Sequence, residues 1–202
     1  MVMKLELHVI SSPKQTVQEL ARCWLRLVPE VDWFHLRYKQ LSDDELMQRA
    51  KALLSAGIPA KSLVVNSSVA VAEALGLGGI HLPERLTFPP AMSPAIRVGK
   101  SVHSLAAAER AADEGADYLM VGHIFPSASK PGLPPLGSGQ LRLWVEQVKI
   151  PMIAVGGIDA GNVAEIKRAG CHGIAVISAV ADHEQPERVA RELRRRWENA
   201  DC

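Results

Sequence analysis

Cysteine is scarce in this chain of 202 residues: Cys23, Cys171 and Cys202 are odd in number and far apart. That excludes a disulfide framework or a zinc site with close ligand spacing, and it fits reduced thiols in a cytosol. An excess of charge of either sign is also missing. Lys+Arg 23 against Asp+Glu 22 leaves +1, so nothing general draws the chain to nucleic acid or to an anionic membrane. Any anion preference must be local. No stretch approaches the roughly 20 apolar residues of a membrane span. The run MVMKLELHVI carries Glu6 and lacks a long apolar segment, so no signal peptide is expected. No stretch resembles a linker. Residues 1–202 are expected to form one soluble, cytoplasmic domain.

What is present is an alternation of apolar runs and helical patterns. Strands are expected at 5–10, 33–38, 63–66, 79–82, 97–101, 118–122, 152–155 and 173–177. Helices are expected at 16–27, from Ser42 to about 56, 67–75, 104–114, 140–148, 162–169 and 186–198. Ser42-Asp43-Asp44-Glu45 has capping-box spacing, and Gly57 stops that helix. Residues 83–94 hold four prolines, which argues against a regular helix there. Glycine before an apolar run recurs in EALGLGGIHL, DEGADYLMV and KRAGCHGIAVI, the chemistry of a helix-to-strand turn. Eight strands alternating with helices point to an α/β fold, a small (β/α)8 TIM barrel. An open doubly wound sheet is the alternative, weakened slightly because no G-x-G-x-x-G follows the first strand.

In such a barrel the site forms at the C-terminal ends of the strands. The organising stretch is DYLMVGHIFPSASKPG, residues 117–132. It delivers His123 straight after a buried strand, then a loop with Ser127, Ser129 and Lys130. An imidazole both takes and gives protons near neutral pH, which makes His123 the candidate proton shuttle. In FHLRYK, period-two alternation puts His35, Arg37 and Lys39 on one face; facing inward, they favour an anion. Asn66 ends the third strand, either as a ligand-holding amide or as a cap on the next helix. Ser101 closes the fifth strand. His81 reads as a satisfied core residue and His103 as a loop residue near a cap. His8, His172 and His183 show no supporting neighbours. Gly156-Gly157 after the seventh strand and Ile177-Ser178 at the eighth suit backbone capture of phosphate.

The pieces LELHVISS, FHLRYK, LVVN, GGIHL, VGKSVHS, DYLMVGHIFPSASKPG, PMIAVGGI and GIAVISA resemble the thiamin phosphate synthase and TenI group of barrels over nearly the whole chain. The synthases join a pyrimidine pyrophosphate to a thiazole phosphate and hold magnesium through two aspartates. Ser67 and Leu86 stand at those positions, and Gly122-His123 replaces the usual Gly-Pro. The resemblance therefore implies the TenI-like thiazole tautomerase branch, an isomerase that aromatises a carboxythiazole phosphate by proton transfer at His123. Arg37, Lys39, Asn66, Ser101, Ser127, Ser129 and Lys130 would bind substrate, and Gly156, Gly157, Ile177 and Ser178 its phosphate. It implies no cofactor and no metal, a small phosphorylated thiazole as ligand, no nucleic-acid or membrane partner, and a homodimer. One feature runs the other way: Ser127-Ala128-Ser129-Lys130 is close to the synthase T-x-T-K loop. The alternatives are thiamin phosphate synthase itself and a non-catalytic regulatory protein that binds the ligand.

Overall fold

A computed structural model describes residues 4–89, 92–127 and 130–200. Eight parallel strands close into a barrel in sequence order. They are β1 (Glu6–Ile10), β2 (Trp33–Leu36), β3 (Leu63–Asn66), β4 (Gly79–Leu82), β5 (Arg97–Val102), β6 (Tyr118–Gly122), β7 (Met152–Val155) and β8 (Gly173–Val176). The helices are α1 (Val17–Leu27), α2 (Asp43–Ala56), α3 (Val69–Ala74), α4 (Leu105–Asp113), α5 (Ser138–Gln147), α6 (Val163–Arg168), α7 (Ser178–Ala181) and α8 (Pro186–Glu198). The last strand pairs with the first, Leu7 opposite Ile174, so the open-sheet alternative is excluded.

Local chemistry sets the helix ends. Ser42 accepts from the Glu45 backbone N–H while the Glu45 carboxylate accepts from the Ser42 N–H. Thr16 and Glu19 do the same for α1. Gly57 ends α2 at φ 110°, a conformation that favours glycine. Two expectations shift. α3 begins after Ser68, whose hydroxyl caps it, so Asn66 is not the cap. The short α7 directly after β8 was not expected, because four residues carry no periodicity. No regular helix forms among the described residues between β4 and β5.

The apolar faces of the strands and helices meet in one layer outside the barrel, with Trp24, Phe34, Leu53, Leu119, Trp144 and Trp197 among its members. The barrel interior is different. Ile10, Tyr118, Met120, Ile153 and Ala175 share it with the buried histidines His8, His35 and His81. Gly99 makes room for this packing, since a Cβ there would lie 2.0 Å from Cζ of Tyr118. The basic run of α8 is neutralised locally. Arg194 bonds Asp32 and the Leu5 and Glu30 carbonyls, while Arg195 and Arg196 pair with Glu192. Among the described residues no helix is long and apolar enough to cross a membrane.

Candidate active site

A cavity of about 680 Å³ opens at the C-terminal ends of the strands. It gathers His123, Arg37, Lys39, Asn66, Ser101, Ser127, Lys130, Gly156, Gly157, Ile177 and Ser178. Ser129 lies outside the described residues. β2 ends at Leu36, so the alternation carries His35 to the barrel interior and leaves Arg37 and Lys39 on the loop above it.

The cavity's charge is one-sided. Arg37, Lys39 and Lys130 line it, and none forms an ion pair among the described residues. Burial lowers the Arg37 pKa from its ordinary value, yet a guanidinium remains charged. The one carboxylate that lines the cavity among the described residues, Asp159, accepts from the Gly161 and Asn162 backbone N–H groups at 2.7 and 3.2 Å. An anion entering here meets cations that have no ion-pair partner among the described residues.

Part of the cavity wall is the glycine turn after β7. Gly156 and Gly157 have φ of 99° and 68°, and a Cβ on either would collide with the loop after β6. On Gly156 it would lie 2.5 Å from Cβ of His123, and on Gly157 2.5 Å from the Pro126 carbonyl oxygen. The glycines thus seat the His123 loop as well as opening backbone to a ligand. Asp159 and Asn162, which the sequence did not single out, hold this turn: the Asn162 amide donates to the Gly157 carbonyl at 2.8 Å. The first N–H groups of α7 lack partners within the helix and lie beside the turn through Ile177 and Ser178.

His123 lines the cavity, but its Nε2 donates to the Leu133 carbonyl at 3.1 Å. The ring thereby ties the loop after β6 to residue 133. His81 is a satisfied interior residue, as expected, with Nδ1 at 3.1 Å from the Tyr118 hydroxyl and Nε2 at 2.8 Å from the Ser101 hydroxyl. It also reaches the cavity, as does His103. His8 corrects its expectation: it is fully buried and bonded on both nitrogens, to Glu6 and to His35. Alternation of Glu6, His8 and Ile10 along β1 was the available signal.

The TMP-TENI family profile, described as thiamine monophosphate synthase, matches residues 7–180. This chain belongs to the thiamine monophosphate synthase family. A thiamine-phosphate synthase of Methanoculleus marisnigri is 38% identical over 188 residues, covering 90% of this chain and 88% of that one. The Chloroflexus aurantiacus thiamine-phosphate synthase is 38% identical over 167 residues, 78% of this chain and 76% of the relative. The thiamine phosphate pyrophosphorylase structure from Pyrococcus furiosus superposes with a TM-score of 0.77 at 32% identity, covering 98% of both chains. A 3-hexulose-6-phosphate synthase structure, at 15% identity and TM-score 0.70, shares the fold alone.

These relatives overturn the tautomerase reading and with it the isomerase class. They carry the synthase name across most of the chain, whereas the tautomerase reading rested on three local departures. The narrower branch within the family is corrected accordingly.

The magnesium that the synthase resemblance implies finds poor ligands in this chain. Ser67 stands at one position with φ 70°, and Leu86 packs against the core at the other. The nearby Glu84 carboxylate is already engaged by His103. Among the described residues no three His, Cys, Asp or Glu side chains are placed to hold a metal. The donor set does not fit a hard cation held by carboxylates.

Proposed function

We propose that this member of the thiamine monophosphate synthase family is a transferase, condensing a pyrimidine pyrophosphate with a thiazole phosphate to give thiamin phosphate. The observation that carries this reading is that Arg37, Lys39 and Lys130, without an ion-pair partner among the described residues, line one cavity together with a glycine turn. Two anionic groups need two different holders, and a cavity lined by cations and by backbone N–H groups offers both.

The chemistry asks for charge handling more than for proton transfer. The thiazole ring nitrogen attacks the carbon that carries the diphosphate. The carbon–oxygen bond breaks, its electron pair leaves with the diphosphate, and the nitrogen becomes cationic. Arg37, Lys39 and Lys130 stabilise the departing charge. Gly156, Gly157, Ile177 and Ser178 hold the thiazole phosphate. Asn66, Ser101 and Ser127 supply neutral hydrogen bonds that orient the rings. His123 keeps the loop after β6 folded over the cavity and takes no proton from substrate.

The test is direct. Purified protein is incubated with both substrates, with and without magnesium, and the products are read by mass spectrometry. Thiamin phosphate and free pyrophosphate are expected in equal amounts. Absence of thiamin phosphate above background under both conditions would reject the reading.

A further inference from the structure

At the cavity rim one side chain joins two loops. Glu84 follows β4 and His103 follows β5. Oε2 of Glu84 lies 2.7 Å from the His103 backbone nitrogen and 2.7 Å from its Nδ1. Alternation along β5 explains where His103 goes. Gly99 and Ser101 face the barrel interior, against Tyr118 and His81, and His103, two residues on, lines the cavity. The pair is open to solvent, with the His103 side chain 56% and the Glu84 side chain 36% exposed. A contact so exposed contributes little to stability, so folding does not account for it.

A carboxylate accepts and never donates. Nδ1 of His103 therefore carries a hydrogen, as its backbone nitrogen does. Two donors from one residue on one oxygen fix the turn of the ring. Nε2 is left with no hydrogen-bond partner among the described residues.

The loops after β3, β4 and β5 are consecutive round the mouth of the barrel. Here the chain departs from a magnesium site: Ser67 follows β3, Leu86 follows β4, and neither offers a carboxylate. With none at either position, protein donors must take more of the charge that gathers on a departing diphosphate.

We propose that His103, held by Glu84, is a diphosphate-binding residue: its imidazolium donates from Nε2 to the departing diphosphate, at the part of the rim where carboxylates would have held a metal. Its role toward a leaving group rests on the condensing reading; the anion site itself does not. Glu84 acts through the ring, as a positioning residue. Its carboxylate aligns the ring and carries the charge opposite to imidazolium. A carboxylate without that partner would only repel an anion, so the sign of its effect separates the two cases.

The test uses the full chain with ¹⁵N-labelled histidine, in EDTA at about pH 7, with inorganic pyrophosphate as the probe. His103 is assigned through its backbone. Without pyrophosphate, Nδ1 is expected to carry hydrogen. With it, both ring nitrogens should, and the Nε2 signal should move. A ring with hydrogen on Nε2 alone, or a ring unmoved by saturating pyrophosphate, would overturn the proposal. Calorimetric titration reads the variants. His103→Ala should weaken pyrophosphate binding roughly 10-fold, near the low end for a hydrogen bond to a charged group. Glu84→Gln should weaken it roughly 3-fold, as for a solvated ion pair. Unchanged binding in the first variant, or unchanged or tighter binding in the second, would equally overturn it. The wild-type spectra decide if either variant fails to fold. Thiamin phosphate made by a protein whose His103 ignores pyrophosphate would remove this proposal alone. A His103-dependent pyrophosphate site in a protein that makes no thiamin phosphate would remove the condensing reading alone.

Discussion

Glu84 and His103 are locked together at the cavity rim: one carboxylate oxygen, Oε2, lies 2.7 Å from both the backbone nitrogen and Nδ1 of His103. The carboxylate nearest to position 86 is thus occupied within the protein. With serine at 67 and leucine at 86, a divalent cation has little to grip.

The first prediction follows from that. Inorganic pyrophosphate should bind with an affinity that changes less than about twofold between EDTA and millimolar magnesium, since protein cations supply the charge. Calorimetric titration measures it. Binding that appears only with magnesium would show that the metal is held without carboxylates. Ser67→Asp with Leu86→Asp should introduce a magnesium response, because aspartate tolerates the left-handed backbone at 67.

Removal of a cation should act on the same ligand. Arg37→Ala and Lys39→Ala should each weaken pyrophosphate binding roughly 10- to 100-fold, the range for a hydrogen bond to a charged group. Thermal stability should hold or rise, because neither side chain has an ion-pair partner to lose among the described residues. A loss of stability with unchanged binding would contradict this.

The barrel interior has its own test. Gly99→Ala should destabilise the fold by about 1–3 kcal/mol, because the new methyl would lie 2.0 Å from Cζ of the buried Tyr118 ring. Urea unfolding reports it, and wild-type stability would mean that Tyr118 does not lie across the barrel.

Acid should also find this interior. His8, His35 and His81 all have pKa values below the ordinary 6.5, and His81 is at about 3. Burial is the largest cause in each. In the unfolded chain they take up protons below about pH 6.5 while the folded chain does not. Stability is therefore full above that pH and falls as pH drops toward the folded values, by about 1.4 kcal/mol per pH unit for each histidine. Glu6, lowered to about 2, works in the same direction below its usual 4.5. Unfolding free energies at pH 7.5 and 5.5 measure the slope, and a flat profile would show these rings to be charged or wet.

The fold was legible wherever its cause was local. Ser42 and Glu45 cap α2 because the box is three residues long, and the strand count alone suggested closure. The cations at 37 and 39 could be assigned to the cavity because they follow directly on β2, although the strand stops at Leu36, before the alternation reaches them. The partnership of Glu6 with Arg97 could not, since 91 residues separate them and only the closed barrel brings them together. His8 was passed over for the same reason. The tautomerase reading failed for a related one. Positions 67, 86 and 123 were weighed as a set, yet three side chains are a small part of what makes 188 aligned residues resemble a synthase.

The pairing of β8 with β1 joins residues at opposite ends of the translation order. While a ribosome makes this chain, β1 and the newest strand each carry a bare edge, and each edge is a template for another chain. Closure waits until residue 176 has cleared the exit tunnel. High expression, which raises the concentration of unfinished chains, therefore favours intermolecular strand pairing over a finished ring, and a lower expression level or a chaperone that shields strand edges should raise the soluble yield.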